Sequence, residues 1–88
     1  MKIEEIKAKL EVEGYSVMLM KDASLTVGQK NGHDKELGLI MLKNAFGVEI
    51  KKDLIKVDYA IGQIPIEKEF KTIEEVLKFV RQVFPLEE

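Results

Sequence analysis

The apolar residues of this 88-residue chain change their spacing twice, and these two changes restrict the fold more than any other feature. Up to Glu13 they recur every three or four residues, as on one face of a helix. From Tyr15 to Ile61 they mostly alternate with polar residues, as in strands, and after Thr72 the helical spacing returns. One helix on each side of consecutive strands predicts an α+β fold with a mainly antiparallel sheet. Because the chain is short and has no linker or repeat, we expect one domain over residues 1–88.

Residues with known capping roles mark the ends of both predicted amphipathic helices. Gly14 can adopt the left-handed conformation that ends the first helix, predicted over residues 2–13. Thr72, followed three residues later by Glu75, forms a capping box that starts the second helix. Pro85 ends that helix. The N-terminal and C-terminal helices therefore have well-defined limits.

Between the helices, the alternation of apolar and polar residues predicts about five strands. They cover residues 15–20, 25–30, 36–43, 48–51 and 55–61. Asn31-Gly32 opens a polar loop to residue 35 and predicts a hairpin between the second and third strands. Gly28 indicates a β-bulge or a close approach of two backbones.

The remaining central residues are interpreted as connections. Residues 44–47 are predicted to link two strands, and Lys52-Asp53 to form a tight turn. Residues 62–71 contain Pro65 and lack a sustained period, so they predict a crossing loop or an irregular edge segment. Residues 50–61 also have apolar residues at helical spacing, but their β-branched residues favour a strand.

Composition excludes several classes of protein. The chain has no cysteine, so it has neither disulfides nor thiolate metal ligands, and we expect a soluble protein of the reducing cytoplasm. The longest apolar run, residues 39–42, is far shorter than the roughly 20 residues of a membrane helix. Fourteen basic and sixteen acidic residues give a net charge of −2, which disfavours nucleic acid as a partner.

The residues able to support chemistry are few and poorly arranged. His33 is the only histidine, and although Asp34 and Glu36 follow it, the ligand spacing and turn glycine of a calcium loop are missing. Residues 28–32 contain two glycines but lack the Lys-Ser/Thr pair and the helix of a phosphate loop. No serine or threonine lies in a nucleophile elbow. We therefore expect no catalytic residues, no metal site and no cofactor.

Lys51, Lys52 and Lys56 cluster around the predicted turn between the fourth and fifth strands. They predict either a weak basic edge that binds an anionic partner or lysines that keep the edge from pairing with other chains. Acidic residues interleave with them, which favours the second interpretation.

The second face of the predicted sheet is the most informative feature. If both helices cover the side that carries Tyr15, then Met18, Met20, Ile40 and Leu42 point to the other side. A solvent-exposed sheet face is normally polar, so these four residues predict a possible interaction face. The alternative is that the helices pack on opposite faces, or that residues 62–71 fold across and cover it.

Three hypotheses for function follow, in order of preference. The first is a non-enzymatic protein-interaction or homodimerisation module that uses the second sheet face or a strand edge. The second is a small-ligand or nucleic-acid binder that uses a cleft between the sheet and residues 62–71, or the edge formed by Lys51, Lys52 and Lys56. An enzyme is the least favoured hypothesis.

The order of helix, antiparallel strands and helix, together with the small size, resembles that of secretion chaperones at the level of fold. Those dimers bind partner proteins. They usually insert a helix between the third and fourth strands, however, and residues 44–47 are too few to hold one. The resemblance therefore implies no family membership.

Overall fold

The structure is a computed structural model that describes residues 2–21, 23–34 and 39–86, and only the backbone at 30–34 and 39–41. Its elements are α1 (Ile3–Glu13), β1 (Ser16–Leu19), β2 (Leu25–Asp34), β3 (Leu39–Lys51), β4 (Leu54–Ile61), β5 (Ile64–Phe70) and α2 (Ile73–Val83). The strands form one antiparallel sheet in the order of the chain. The α+β fold with a five-stranded sheet and two terminal helices is thereby confirmed. Within the described residues, neither helix is long and apolar enough to cross a membrane.

Both helices end where their capping residues predict. Gly14 has φ +111°, and its N–H donates to the Glu11 carbonyl at 3.0 Å. At the start of α2, the backbone N–H of Glu75 donates to Thr72 Oγ1 at 3.2 Å. The last turn of α2 closes with a bond from the Phe84 N–H to the Val80 carbonyl, one residue before the proline.

The number of strands is right, but two segments that were predicted as connections belong to strands. The predicted strands 36–43 and 48–51 are parts of one strand, β3, and residues 44–47 do not separate them. Asn44 has φ +52° and lies where the β2–β3 register shifts, so it forms a bulge rather than a connection. Of the two alternatives for residues 62–71, the crossing loop is wrong and the position at the sheet edge is right, although most of the segment is a regular strand, β5. Pro65 is tolerated there because this strand lies at the edge.

The second strand is longer than predicted. β2 continues through Asn31-Gly32 to Asp34, with a second register shift between Lys30 and His33. The hairpin of β2 and β3 exists, but its tip at 35–38 lies outside the described residues. Residues 54–61 form β4, so the strand interpretation of this segment is confirmed over the helical one.

Both helices pack on the same face of the sheet and share one core. Its most deeply buried residues are Ile6 and Leu10 of α1, Leu25, Val27, Val48, Ile55 and Val57 of the strands, and Val76 and Val80 of α2. The Tyr15 hydroxyl donates to the Phe84 carbonyl at 2.6 Å, and the Phe84 ring stacks on Phe46 with centroids 4.5 Å apart. These contacts tie the C-terminal end of α2 to the sheet. Because both helices lie on this side, neither of them covers the opposite face.

Candidate interaction surface

The face of the sheet opposite the helices, here called the open face, carries an unbroken row of paired residues across all five strands. Met18 pairs with Thr26, Thr26 with Gly47, Gly47 with Asp58, and Asp58 with Glu67. Their neighbours in each strand point to the helices, because side chains alternate along a strand. The row therefore shows directly which residues share the open face.

One half of the open face, on β1 to β3, carries apolar side chains among the small polar residues Ser16 and Thr26. Met18 is 46% exposed and Met20 is 43% exposed. The half-buried side chain of Leu42 lies beside Gly28, since a Cβ on Gly28 would be 3.1 Å from the Cβ of Leu42. Ile40 of β3 pairs with His33 of β2, but the side chain of Ile40 lies outside the described part of the structure. Met18 and Leu42 thus lie on the open face, and Met20 shares it by alternation, beyond the end of β1 that lies away from Leu42. Binding through these residues stays a prediction.

The other half of the open face, on β3 to β5, is charged and mainly acidic. Lys56 Nζ lies 3.0 Å from Glu67 Oε1 and 3.4 Å from Glu49 Oε1. The hydrogen bond with Glu67 has the largest effect and raises the pKa of the Lys56 ammonium group. Desolvation opposes it, and the hydrogen bond with Glu49 and the negative charges of both carboxylates raise this pKa further. Glu69 pairs with Lys56 in the β4–β5 ladder, and Asp58 pairs with Glu67, so both lie on the same face. Four carboxylates and one ammonium group therefore share this part of the open face.

The three lysines predicted to form a basic edge do not act as one surface. Lys51 and Lys52 are exposed at the turn between β3 and β4, where Lys52 has φ +58°. Lys56 instead lies on the open face between two carboxylates. Its charge is compensated, which leaves only the two turn lysines as a basic feature.

A shallow trough runs between the two halves of the open face. Its floor is formed by residues with small side chains, Ala45, Gly47 and Ala60. A Cβ on Gly47 would lie only 2.5 Å from Asp58 Oδ1, so the absence of a side chain leaves space that this carboxylate fills. The trough has a volume of about 430 Å³ beside Pro65 and about 320 Å³ beside Lys56. Among the described residues, its lining offers hydrogen-bonding groups but no histidine or cysteine.

Sequence reasoning missed two features of the surface. Ile61 and Ile64 are 60% and 67% exposed at the β4–β5 hairpin, which the loop interpretation of residues 62–71 concealed. For the same reason the cleft predicted between the sheet and that segment is wrong, because β5 is part of the sheet. The second feature is Val12 of α1, which is 87% exposed. It lies outside the apolar stripe of the helix, and this break in the amphipathic pattern was visible in the sequence.

The described residues contain no group of three or more His, Cys, Asp or Glu side chains arranged to hold a metal ion. The side chain of His33 lies outside the described part. Comparisons of the chain with models of protein families, with curated proteins and with solved structures found no match, so the open face is interpreted from its own geometry.

Proposed function

We propose that this chain is a non-enzymatic protein-interaction module that binds other polypeptides through the open face of its sheet. The observation that carries the proposal is the exposure of Met18 and Met20 on a face that also carries Leu42 and that neither helix covers. The solvated face of an antiparallel sheet is usually polar, and a contiguous exposed apolar patch is typical of a binding site. Methionine side chains suit this role because they adapt to irregular partner surfaces.

The charged half of the open face indicates the chemistry of the partner. Asp58 and Glu69 add negative charge beside the Lys56 ion pairs. A polypeptide that places apolar side chains on Met18 and basic side chains on these carboxylates matches both halves. Nucleic acid is disfavoured at this face because its phosphates would meet carboxylates. We place this activity in the cytoplasm, a compartment that suits a chain without cysteine.

A photo-crosslinking residue tests the proposal. p-Benzoylphenylalanine replaces Met20 in the full chain, in cells that naturally express it, and the matched control carries it at the exposed Glu74 of α2. We expect a crosslinked polypeptide from Met20 but not from Glu74, and its loss when Met18→Asp is added. Crosslinks from neither position, or equal ones from both, would overturn the proposal. Circular dichroism of each variant verifies that the fold is retained.

A further inference from the structure

The two edges of the sheet are protected to different degrees. The edge strand β5 contains Pro65, which lacks a backbone N–H, and then Glu67, Lys68 and Glu69. Proline and charged residues are the usual means by which proteins keep an edge strand from pairing with another chain. The other edge strand, β1, has no proline and no charged residue, and the uncharged stretch continues through Met20. Only β1 is open to pairing.

The backbone of β1 has unsatisfied groups that point away from the sheet. Among the described residues its ladder is formed with β2 alone. Just past that ladder, the Met20 N–H donates to the Ser24 carbonyl at 2.8 Å. Hydrogen-bonded and non-hydrogen-bonded positions alternate in an antiparallel pair, so Met18 also bonds to β2, whereas Val17 and Leu19 direct their N–H and C=O groups outward.

We propose that two copies of this chain pair through β1, antiparallel to each other, about a two-fold axis at Met18. The outward groups of Val17 then bond to those of the partner subunit's Leu19, and Leu19 bonds in the same way in return. This arrangement extends the sheet from five strands to ten. It brings the two Met18 side chains together on the open face. On the helix face, each Leu19 side chain, which is 51% exposed, then lies opposite Val17 of the partner subunit.

A second copy fits this edge better than another occupant for two reasons. The edge is self-complementary: no charged side chain lies between Ser16 and Met20, so a two-fold axis brings no like charges together there, and the acidic halves of the open face lie at the far ends of the joined sheet. Pairing also stops at two copies, because the outer edges are then the protected β5 strands and the contact closes on itself.

The paired strands are short, so the interface falls in the small class below about 1,200 Å², and we expect a dissociation constant on the order of 10 to 100 µM. The inference goes beyond the proposed function and does not depend on it, because the pairing is formed by backbone groups at the edge of β1, whereas the partner contacts side chains across the open face.

A single cysteine tests the pairing, since the chain has none of its own. In Met18→Cys the two Cβ atoms of a non-hydrogen-bonded pair lie about 4.5 to 5.5 Å apart, close enough for a disulfide after small adjustment. The control Thr26→Cys lies in the same row of the open face, one strand inward. Its two sulfur atoms are held about 14 Å apart, three strand spacings, in the proposed dimer.

In a glutathione buffer at about 50 µM chain we expect Met18→Cys to form disulfide-linked dimers at least tenfold faster than Thr26→Cys. Equal rates would mean random collision and would overturn the pairing.

Sedimentation of the cysteine-free chain up to about 500 µM gives a second readout: we expect a dimer that Leu19→Lys abolishes without loss of helical signal. A chain that stays monomeric up to this concentration overturns the dimer. If the crosslinker at Met20 still captures a different polypeptide, the proposed function is retained without the dimer.

Discussion

The hydroxyl group of Tyr15 donates a hydrogen bond to the Phe84 carbonyl at 2.6 Å, and the ring is 5% exposed in the core. This single residue links the chain entering β1 with the end of α2. We expect Tyr15→Phe to lower the free energy of unfolding at pH 7 by about 1 kcal/mol, the usual contribution of such a bond plus the cost of an unpaired carbonyl. Urea unfolding followed by circular dichroism measures the change.

The same residue makes stability depend on alkaline pH. Burial raises the pKa of the Tyr15 phenol above its usual value of 10.0, so the folded state holds this proton more tightly than the unfolded state does. Its contribution to stability is then complete below pH 10.0 and is lost as the pH rises through the folded-state pKa. The difference in unfolding free energy between the wild type and Tyr15→Phe should therefore shrink between pH 9 and pH 11. A difference that stays constant over this range contradicts the prediction.

Gly47 is required by its neighbour rather than by its own backbone. A Cβ there would lie 2.5 Å from Asp58 Oδ1 on the adjacent strand. We expect Gly47→Ala to destabilise the fold by about 1 kcal/mol, because the exposed carboxylate must turn away. When Asp58 is already replaced by alanine, adding Gly47→Ala should cost little further stability. Additive effects in this cycle, measured by urea unfolding, would show that the two residues do not interact.

The two glycines on the open face differ in how well the sequence predicts their roles. Gly28 interrupts an otherwise regular alternation, so a bulge or close approach was predictable, and its Cβ would indeed lie 3.0 Å from the Lys43 carbonyl oxygen. Gly47 follows Asn44 in a stretch that resembles a turn, so its role was not predictable. The contact that explains it comes from β4, eleven residues later at Asp58, and nothing local indicates that pairing.

At the scale of elements, α2 depends on the cap at Thr72. Its hydroxyl accepts the Glu75 N–H at 3.2 Å, and the helix carries the buried residues Val76 and Val80. We expect Thr72→Ala to lower the free energy of unfolding by about 1 kcal/mol, whereas Thr72→Ser should retain most of it. Chemical unfolding of the two variants side by side checks this, and equal losses from both would assign the effect to the threonine methyl group instead.

The bulge in β3 gives a second prediction at this scale. Asn44 is exposed and has φ +52°, a conformation that costs β-branched residues about 1 to 2 kcal/mol. We expect Asn44→Val to destabilise the fold by about that amount and Asn44→Gly to be neutral or slightly stabilising. Because the side chain is exposed, little packing is lost in either variant, and thermal unfolding compares them directly. Equal stability of the two variants would argue against a left-handed residue here.

Helices and strands differed in how far the sequence predicted them. The helix ends were predictable because a cap is a local arrangement of a few residues, as at Gly14 and Thr72. The limits of β3 were not, because Asn44 has the same left-handed conformation in a bulge as in a turn, and only the pairing with β2 distinguishes them. For residues 62–71 the sequence left a loop and an irregular edge segment open, because Pro65 is typical of loops and is tolerated in a strand only at an edge.

At the scale of the whole molecule, the structure is a sheet with helices on one side. Alternation along β1 was enough to predict that Met18 and Met20 share the face opposite Tyr15, provided that both helices pack on one side, as they do. The acidic half of that face was not predicted. It combines Glu49, Lys56 and Glu67 from three different strands, and their proximity depends on the strand order.

One-sided packing predicts that the stability of the fold responds differently to side-chain substitutions on the two faces. Met18→Gln/Met20→Gln, on the open face, should change the free energy of unfolding by no more than about 0.5 kcal/mol. Ile55→Ala, on the covered face where the side chain is 0% exposed, should cost about 2 to 5 kcal/mol. Urea unfolding at about 1 µM chain, far below the expected dissociation constant of the dimer, isolates the monomer. If the methionine variant loses as much stability as Ile55→Ala under these conditions, the open face is covered within the monomer and cannot be free to bind a partner.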